Sequence, residues 1–174
     1  FKEFAAERLI VSSLGSMLKS PKDKIENRVE ELLESLKQAK KQIADLQFTQ
    51  LQGKLPELVS NAFDVKYGKT VLANVGEAPS ADDLRRLAMD TSNALGDGVV
   101  VLFADVEGKP QIVASVSNSA QNQGLKAGDI VRVGATTLGG GGGGKPNFAQ
   151  GGGVDLSAIS KAMAEVSKLV GIAL

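Results

Sequence analysis

No cysteine and no histidine occur among the 174 residues. Their absence excludes Cys and His nucleophiles, His general bases, Ser–His–Asp triads and Cys/His zinc sites. Hard cations are not excluded, because carboxylate oxygens alone can hold them. No disulfide can form, which fits a cytoplasmic location. Tryptophan is missing, tyrosine occurs once and aromatics make up 4 %. A surface that works mainly by stacking bases on a row of rings is therefore not expected. No apolar run approaches the ~20 residues of a membrane span. The first twenty residues are charged early and lack the apolar centre of a signal peptide. The chain opens on Phe1 rather than Met and is expected to be a piece of a longer polypeptide.

Net charge is also absent, with 20 basic against 20 acidic residues. The balance is uneven along the chain. Asp64 to Ser117 holds five basic and eight acidic residues, and Asn118 to the end holds five basic and three acidic. Any polyanion must then be bound locally rather than by a global field.

Periodicity supplies the organisation. Phe4, Arg8, Val11, Leu14 and Leu18 recur every three or four residues and predict a helix over 1–19, broken at Ser20-Pro21. Asp23 is placed to cap a second helix. Its seam, Ile25, Val29, Leu32, Leu36, Ala39, Ile43 and Leu46, alternates by four and three over three heptads. From Lys22 to Lys54 the charges are seven basic and six acidic. So narrow an apolar stripe needs one partner helix. That partner is either residues 1–18 folded back as a hairpin or a second copy of the chain. Gly53 and Pro56 end the helix, and a domain boundary is expected at about Lys54–Ser60. This gives a helical or coiled-coil subdomain over 1–55 and a globular one over 60–174.

Beyond that point Phe63–Val75 reads as one or two strands with a turn at Tyr67-Gly68-Lys69. Ser80 caps a helix carrying Leu84, Leu87, Ala88 and Leu95, with Asp82 and Asp83 at its positive end. Val99–Ala104, "VVVLFA", reads as a strand buried on both faces, forming a hairpin with Gln111–Ser117. Gly128–Leu138 favours a helix over a strand. Asp155 caps a closing helix with Leu156, Ile159, Met163, Val166 and Val170 on one face. The fold class expected is α+β, an α/β layer domain with a long N-terminal helical extension.

Nine of the chain's twenty glycines fall between Gly139 and Gly153, in "GGGGGGKPNFAQGGG". Each costs up to about 1 kcal/mol against alanine in regular structure, so the stretch needs a reason. Read as a loop, Gly139, Gly140, Gly141, Gly142, Gly143 and Gly144 leave their N–H groups unshielded, and successive amides can converge on an anion. Lys145 adds a positive charge, and phosphate is the natural guest. Phe148 and Ala149 are placed to tack the segment to the core while Lys145, Asn147 and Gln150 face a ligand. Close packing without any ligand is the alternative. No Walker A spacing is present, because Lys145 is not followed by Ser or Thr.

This segment, preceded by "KAGDIV" at Lys126–Val131, resembles the glycine signature that closes the DHH-associated domain at the C-terminal end of the alanyl-tRNA synthetase family. The same domain occurs in DHH-family phosphoesterases. Gly139–Gly144, Pro146, Ala149, Gln150, Gly152 and Gly153 match the family pattern. Lys145, Asn147 and Phe148 stand where Arg, Asp and Met are usual, and a lysine lacks the planar fork of arginine. "SMLKSPKDKIENRVEELLESLKQAKKQIADLQ" is similar to the family's coiled-coil linker. "DDLRRLAMD" and "DGVVVLFADVEGKPQIVASVS" are similar to the middle of its C-terminal domain.

The resemblance implies a non-catalytic tRNA-binding module that helps one tRNA(Ala) serve aminoacylation and the editing of mischarged tRNA. It implies as partners tRNA(Ala) and the catalytic and editing domains of the same polypeptide, while the heptad seam leaves a homodimer mate open and no membrane partner is expected. It implies RNA contacts at Gly139–Gly144, Lys145, Asn147 and Gln150, with Lys126, Arg132, Lys161 and Lys168 as basic neighbours. ATP, Mg and Zn would belong to upstream domains, leaving no cofactor and no metal here. Two rivals remain open: a dimerisation module in which the heptad seam is the function, and a phosphoesterase-type fragment using Asp97, Asp105 and Asp129.

Overall fold

The structure is a computed structural model and describes residues 2–173, with side chains from residue 7 onward. Phe1 and the side chain of Phe4, expected on the first helix's apolar face, lie outside the described residues. The chain divides into two compact units, Phe1–Asp45 and Leu46–Leu174.

In the first unit, α1 spans Lys2–Leu18. It stops where Lys19 turns to φ 49° and the Ser20 N–H donates back to the Gly15 carbonyl at 3.0 Å. Pro21 then opens a single 3₁₀ turn, Lys22–Lys24, with no side-chain cap. Asp23 therefore lies inside this turn and does not cap the next helix as expected, because Pro21 moves the chain's helical entry two residues earlier. α2 runs Ile25–Gln52 and contributes to both units. Val29, Leu32, Leu36 and Ile43 are 39–56 % exposed, and Leu46 is exposed as well. Helix α1 leaves this seam uncovered. The polar flanks are tied along the helix, Arg28 to Glu31 at 3.0 Å and Lys37 to Glu34 at 4.0 Å. Exposed pairs of this kind contribute only tenths of a kcal/mol.

The second unit begins with the last turns of α2. Gly53 and Lys54 separate α2 from a short helix, α3 (Leu55–Ser60), whose first turn holds Pro56. Proline thus starts a helix here, where its missing N–H costs nothing. Six strands follow: β1 (Phe63–Val65), β2 (Gly68–Glu77), β3 (Gly98–Val106), β4 (Lys109–Val116), β5 (Gly141–Gly144) and β6 (Phe148–Gly152). They form one sheet in the order β1-β2-β3-β4-β6-β5. Only β2 and β3 are parallel, with Thr70 opposite Val99 and Ala73 opposite Leu102. A parallel pair needs a crossover, supplied by α4 (Ala81–Leu95). The helix starts because the Ser80 hydroxyl accepts the Asp83 N–H at 3.1 Å.

Two cores sandwich the sheet. On one face Val100, Leu102 and Val113 pack with Leu84, Leu87 and Ala88 of α4 and with Leu51 and Leu58. On the other, Val101, Phe103 and Ile112 pack with α6 (Ala127–Thr137) and α7 (Ile159–Val170). Val99–Ala104 is fully buried, as a strand covered on both faces must be. A one-turn helix, α5 (Asn118–Asn122), was not expected. It is capped by the Ser117 hydroxyl accepting the Ala120 N–H. Asp155 caps as expected, through a 3₁₀ turn at Leu156–Ala158 that leads into α7. The sheet and its helices are the α+β layer domain expected, with the long helical extension before it.

Candidate functional site

The segment expected as a loop is a strand hairpin. β5 pairs antiparallel with β6, Gly141 opposite Gly152 and Gly144 opposite Ala149. β6 in turn pairs with β4, Phe148 opposite Ser115. The turn is Lys145-Pro146-Asn147-Phe148: the Lys145 N–H donates to the Phe148 carbonyl at 2.8 Å and the Phe148 N–H returns a bond at 3.2 Å. A run of glycines has no side-chain pattern that would betray a strand, so its pairing comes from β6, itself held on the flank of β4.

This geometry corrects the picture of converging amides. In an extended strand successive N–H groups point to opposite edges and cannot gather on one anion. The Gly139 and Gly140 N–H groups are spent on the end of α6, donating to Thr136 and Ala135 at 3.1 and 2.9 Å. Because Lys145 and Phe148 exchange both bonds, alternation makes Gly143–Gln150 and Gly141–Gly152 the bonded pairs. It turns the Gly142 and Gly144 N–H groups toward the open edge of the sheet.

The two faces of the hairpin differ. α6 lies over β5 and β6, and α4 lies over β3 and β4 on the other side. On the α6 face, a Cβ on Gly142 or Gly151 would strike Val131. On the α4 face, a Cβ on Gly141 or Gly143 would meet nothing within 4 Å. Strand alternation puts Ala149 on the α6 face, where it is buried, and Phe148 and Gln150 on the α4 face.

The uncovered α4 face forms an open cleft of about 550 Å³. Its floor is Ser115, Gly143, Phe148 and Gln150, its wall is Arg85, Met89 and Asn93 of α4, and its end is Lys145 and Asn147. The Arg85 guanidinium sits 5.3 Å from the centre of the Phe148 ring. The Ser115 hydroxyl donates to the Ser92 hydroxyl at 3.1 Å. Two cations and no carboxylate line the cleft among the described residues, and Lys145 makes no ion pair among them.

The expected binding residues are thus divided. Gly143, Gly144, Lys145, Asn147 and Gln150 come together in the cleft. Gly141 and Gly142 continue the exposed strand outside it, and Gly139 and Gly140 close α6. Lys126 precedes α6, next to the Ala127 N–H that donates to the Pro146 carbonyl of the hairpin turn at 2.9 Å. Arg132 lies on α6, on the opposite side of the sheet from the cleft, and is paired with Asp129 at 3.3 Å. Lys168 is likewise paired with Glu165 at 2.8 Å, which holds that carboxyl below its usual range. Reading by sequence alone missed Arg85, Met89 and Asn93. Their spacing of four was the available signal, a second stripe beside the buried Leu84, Leu87 and Thr91. Among the described residues no group of carboxylates is arranged to hold a metal ion, so Asp97, Asp105 and Asp129 remain scattered.

Fold and hairpin together define a class: residues 68–171 match the DHHA1 domain, and the chain belongs to that family. It is 40 % identical over 165 residues to the alanine–tRNA ligase of Acidothermus cellulolyticus, covering 94 % of this chain and 19 % of that protein. Over 177 residues it is also 40 % identical to the alanine–tRNA ligase of Leifsonia xyli, covering 98 % and 20 %. The chain therefore spans about a fifth of the length of these curated relatives. Its fold resembles the C-Ala domain of Aquifex aeolicus alanyl-tRNA synthetase, with TM-score 0.54 and 24 % identity over 63 % of this chain and 95 % of that domain. The resemblance found in the glycine signature holds along nearly the whole sequence. No described helix is long and apolar enough to cross a membrane.

Proposed function

We propose that this chain is a non-catalytic tRNA-binding module of an alanine–tRNA ligase, acting in the cytoplasm on tRNA(Ala). The observation that carries the reading is the cleft beside the glycine hairpin, in which Arg85 and Lys145 stand with no carboxylate among the described residues. A concave site with one sign of charge attracts phosphate. The likeness to alanine–tRNA ligases over nearly the whole chain supports the choice of RNA. In this reading the catalytic and editing domains belong to the same polypeptide, and the module helps one tRNA reach both. The chain itself uses no cofactor, and ATP, Mg and Zn serve those other domains.

The test is equilibrium binding of the chain to tRNA(Ala), with a second tRNA for comparison, across a salt series. Lys145→Glu is expected to weaken binding, and a small negative salt slope is expected because few phosphates are neutralised. Unchanged affinity at moderate salt overturns the placement of Lys145.

A second reading has its own observation, the apolar seam of α2, in which Ile25 is half-buried and Val29, Leu32, Leu36, Ile43 and Leu46 are exposed. An uncovered heptad stripe favours a homodimer. Sedimentation at several concentrations, with and without tRNA, separates the two. A dimer that ignores tRNA leaves dimerisation as the function.

A further inference from the structure

We infer that the cleft seats one unstacked nucleotide of the bound RNA, its base against Met89 and Phe148 and its phosphate at Lys145. The inference rests on the RNA-binding reading above and specifies which part of the RNA enters the protein.

Size comes first. About 550 Å³ lies within the ~300–1,000 Å³ of small-ligand sites, which accommodates a single nucleotide and not a length of double helix. Chemistry comes second. A site that held only helical phosphates would need cations and amides, yet this one also carries an apolar wall. Phe148 presents a half-buried ring, already covered on one side by the Arg85 guanidinium. Splayed bases stack on aromatic rings and on guanidinium planes alike. The scarcity of aromatics along the chain does not oppose this, because one ring and one guanidinium serve a single base.

The polar groups fit a base edge. Asn93, Asn147 and Gln150 each offer a donor and an acceptor, which any base edge can match. The floor fits too. Gly143 points toward the cleft with open space where a side chain would stand, so a flat ring can approach the strand closely. An acidic peptide would find the two cations but would leave the amides and the apolar wall without a purpose.

The experiment uses the whole chain. Nucleoside 5′-monophosphates and a single-stranded tetranucleotide are titrated in while the amide resonances of Gly143, Lys145 and Phe148 are followed. A blunt RNA duplex and a poly-glutamate peptide serve as comparisons. The affinity of Met89→Ala and Phe148→Ala for the tetranucleotide and for tRNA(Ala) is then measured. Met89 is 46 % exposed, so its truncation leaves the core intact even where that of Phe148 does not.

The monophosphates and tetranucleotide are expected to shift the three resonances and the duplex to leave them in place. Phe148→Ala is expected to weaken tetranucleotide binding about 5- to 100-fold, and Met89→Ala to weaken it as well. If tRNA binds the wild-type chain but the mononucleotides shift nothing and Met89→Ala binds normally, the nucleotide cleft is overturned and RNA binding stands. If poly-glutamate shifts the same resonances and nucleotides do not, the cleft belongs to a peptide. If tRNA does not bind at all, the RNA reading fails, and the nucleotide cleft fails with it.

Discussion

A Cβ on Gly142 would lie 2.7 Å from Cγ1 of Val131, the residue of α6 that presses on the hairpin. Gly143, one residue along, faces the other way into empty space. Adjacent glycines in an unbroken run thus do different jobs, one permitting close packing and the other leaving a bare floor. Gly142→Ala is expected to destabilise the fold by about 1–3 kcal/mol, the usual cost of overpacking. Gly143→Ala is expected to stay within about 0.5 kcal/mol of wild type. Urea denaturation of both variants checks this, and equal losses would refute the division of faces.

Ser80 tests how much local chemistry contributes. Its hydroxyl accepts the Asp83 N–H at 3.1 Å and donates to the Asp83 carboxylate at 2.6 Å. Ser80→Ala is expected to cost about 1 kcal/mol. Because α4 is the wall of the cleft, the same variant is expected to broaden the amide signals at the start of that helix. Denaturant midpoints indistinguishable from wild type would show that the cap is dispensable.

Asp155 gives a pH signature. The Ser157 hydroxyl donates to its carboxylate at 2.6 Å and the Ser157 N–H at 2.9 Å. These bonds hold the carboxyl below its ordinary 3.8. A depressed carboxylate stabilises the fold above the unfolded value, and that stability is lost as pH falls from about 3.8 through the folded value. Near neutral pH no titration effect of Asp155 is expected. Ser157→Ala should return the carboxyl toward its ordinary range, read by a carbon NMR titration of the side chain. A wild-type midpoint at or above 3.8 would contradict the assignment.

Lys145 separates charge from geometry. Lys145→Arg keeps the charge and adds a planar fork, so RNA affinity is expected to be kept or raised. Lys145→Glu should lower it and reduce the salt slope by about one. Equal affinity for all three forms would place the phosphate elsewhere on the chain.

Much of the fold was legible because particular side chains carry unambiguous local signals. Val99–Ala104 is a run only a doubly covered strand explains. Leu84, Leu87 and Ala88 mark one face of α4, and Ser80 and Asp155 announce the helical segments they cap. Asp23 misled because Pro21, two residues earlier, already fixes a φ suited to helical entry. Arg85, Met89 and Asn93 were hidden in plain view. They look like an ordinary solvated stripe until the fold sets them opposite Phe148.

By itself, the sequence decided the longer helices, the central strands, the exclusion of cysteine and histidine chemistry and the likeness carried by "GGGGGGKPNFAQGGG". Tertiary structure alone decided that the glycines are a strand, which of them α6 covers, and that Lys145 shares a cleft with Arg85. The reason is physical. Glycine has no side chain and hence no periodicity, so its conformation is dictated by what lies beside it: strand β6 along its edge and Val131 of α6 against its face.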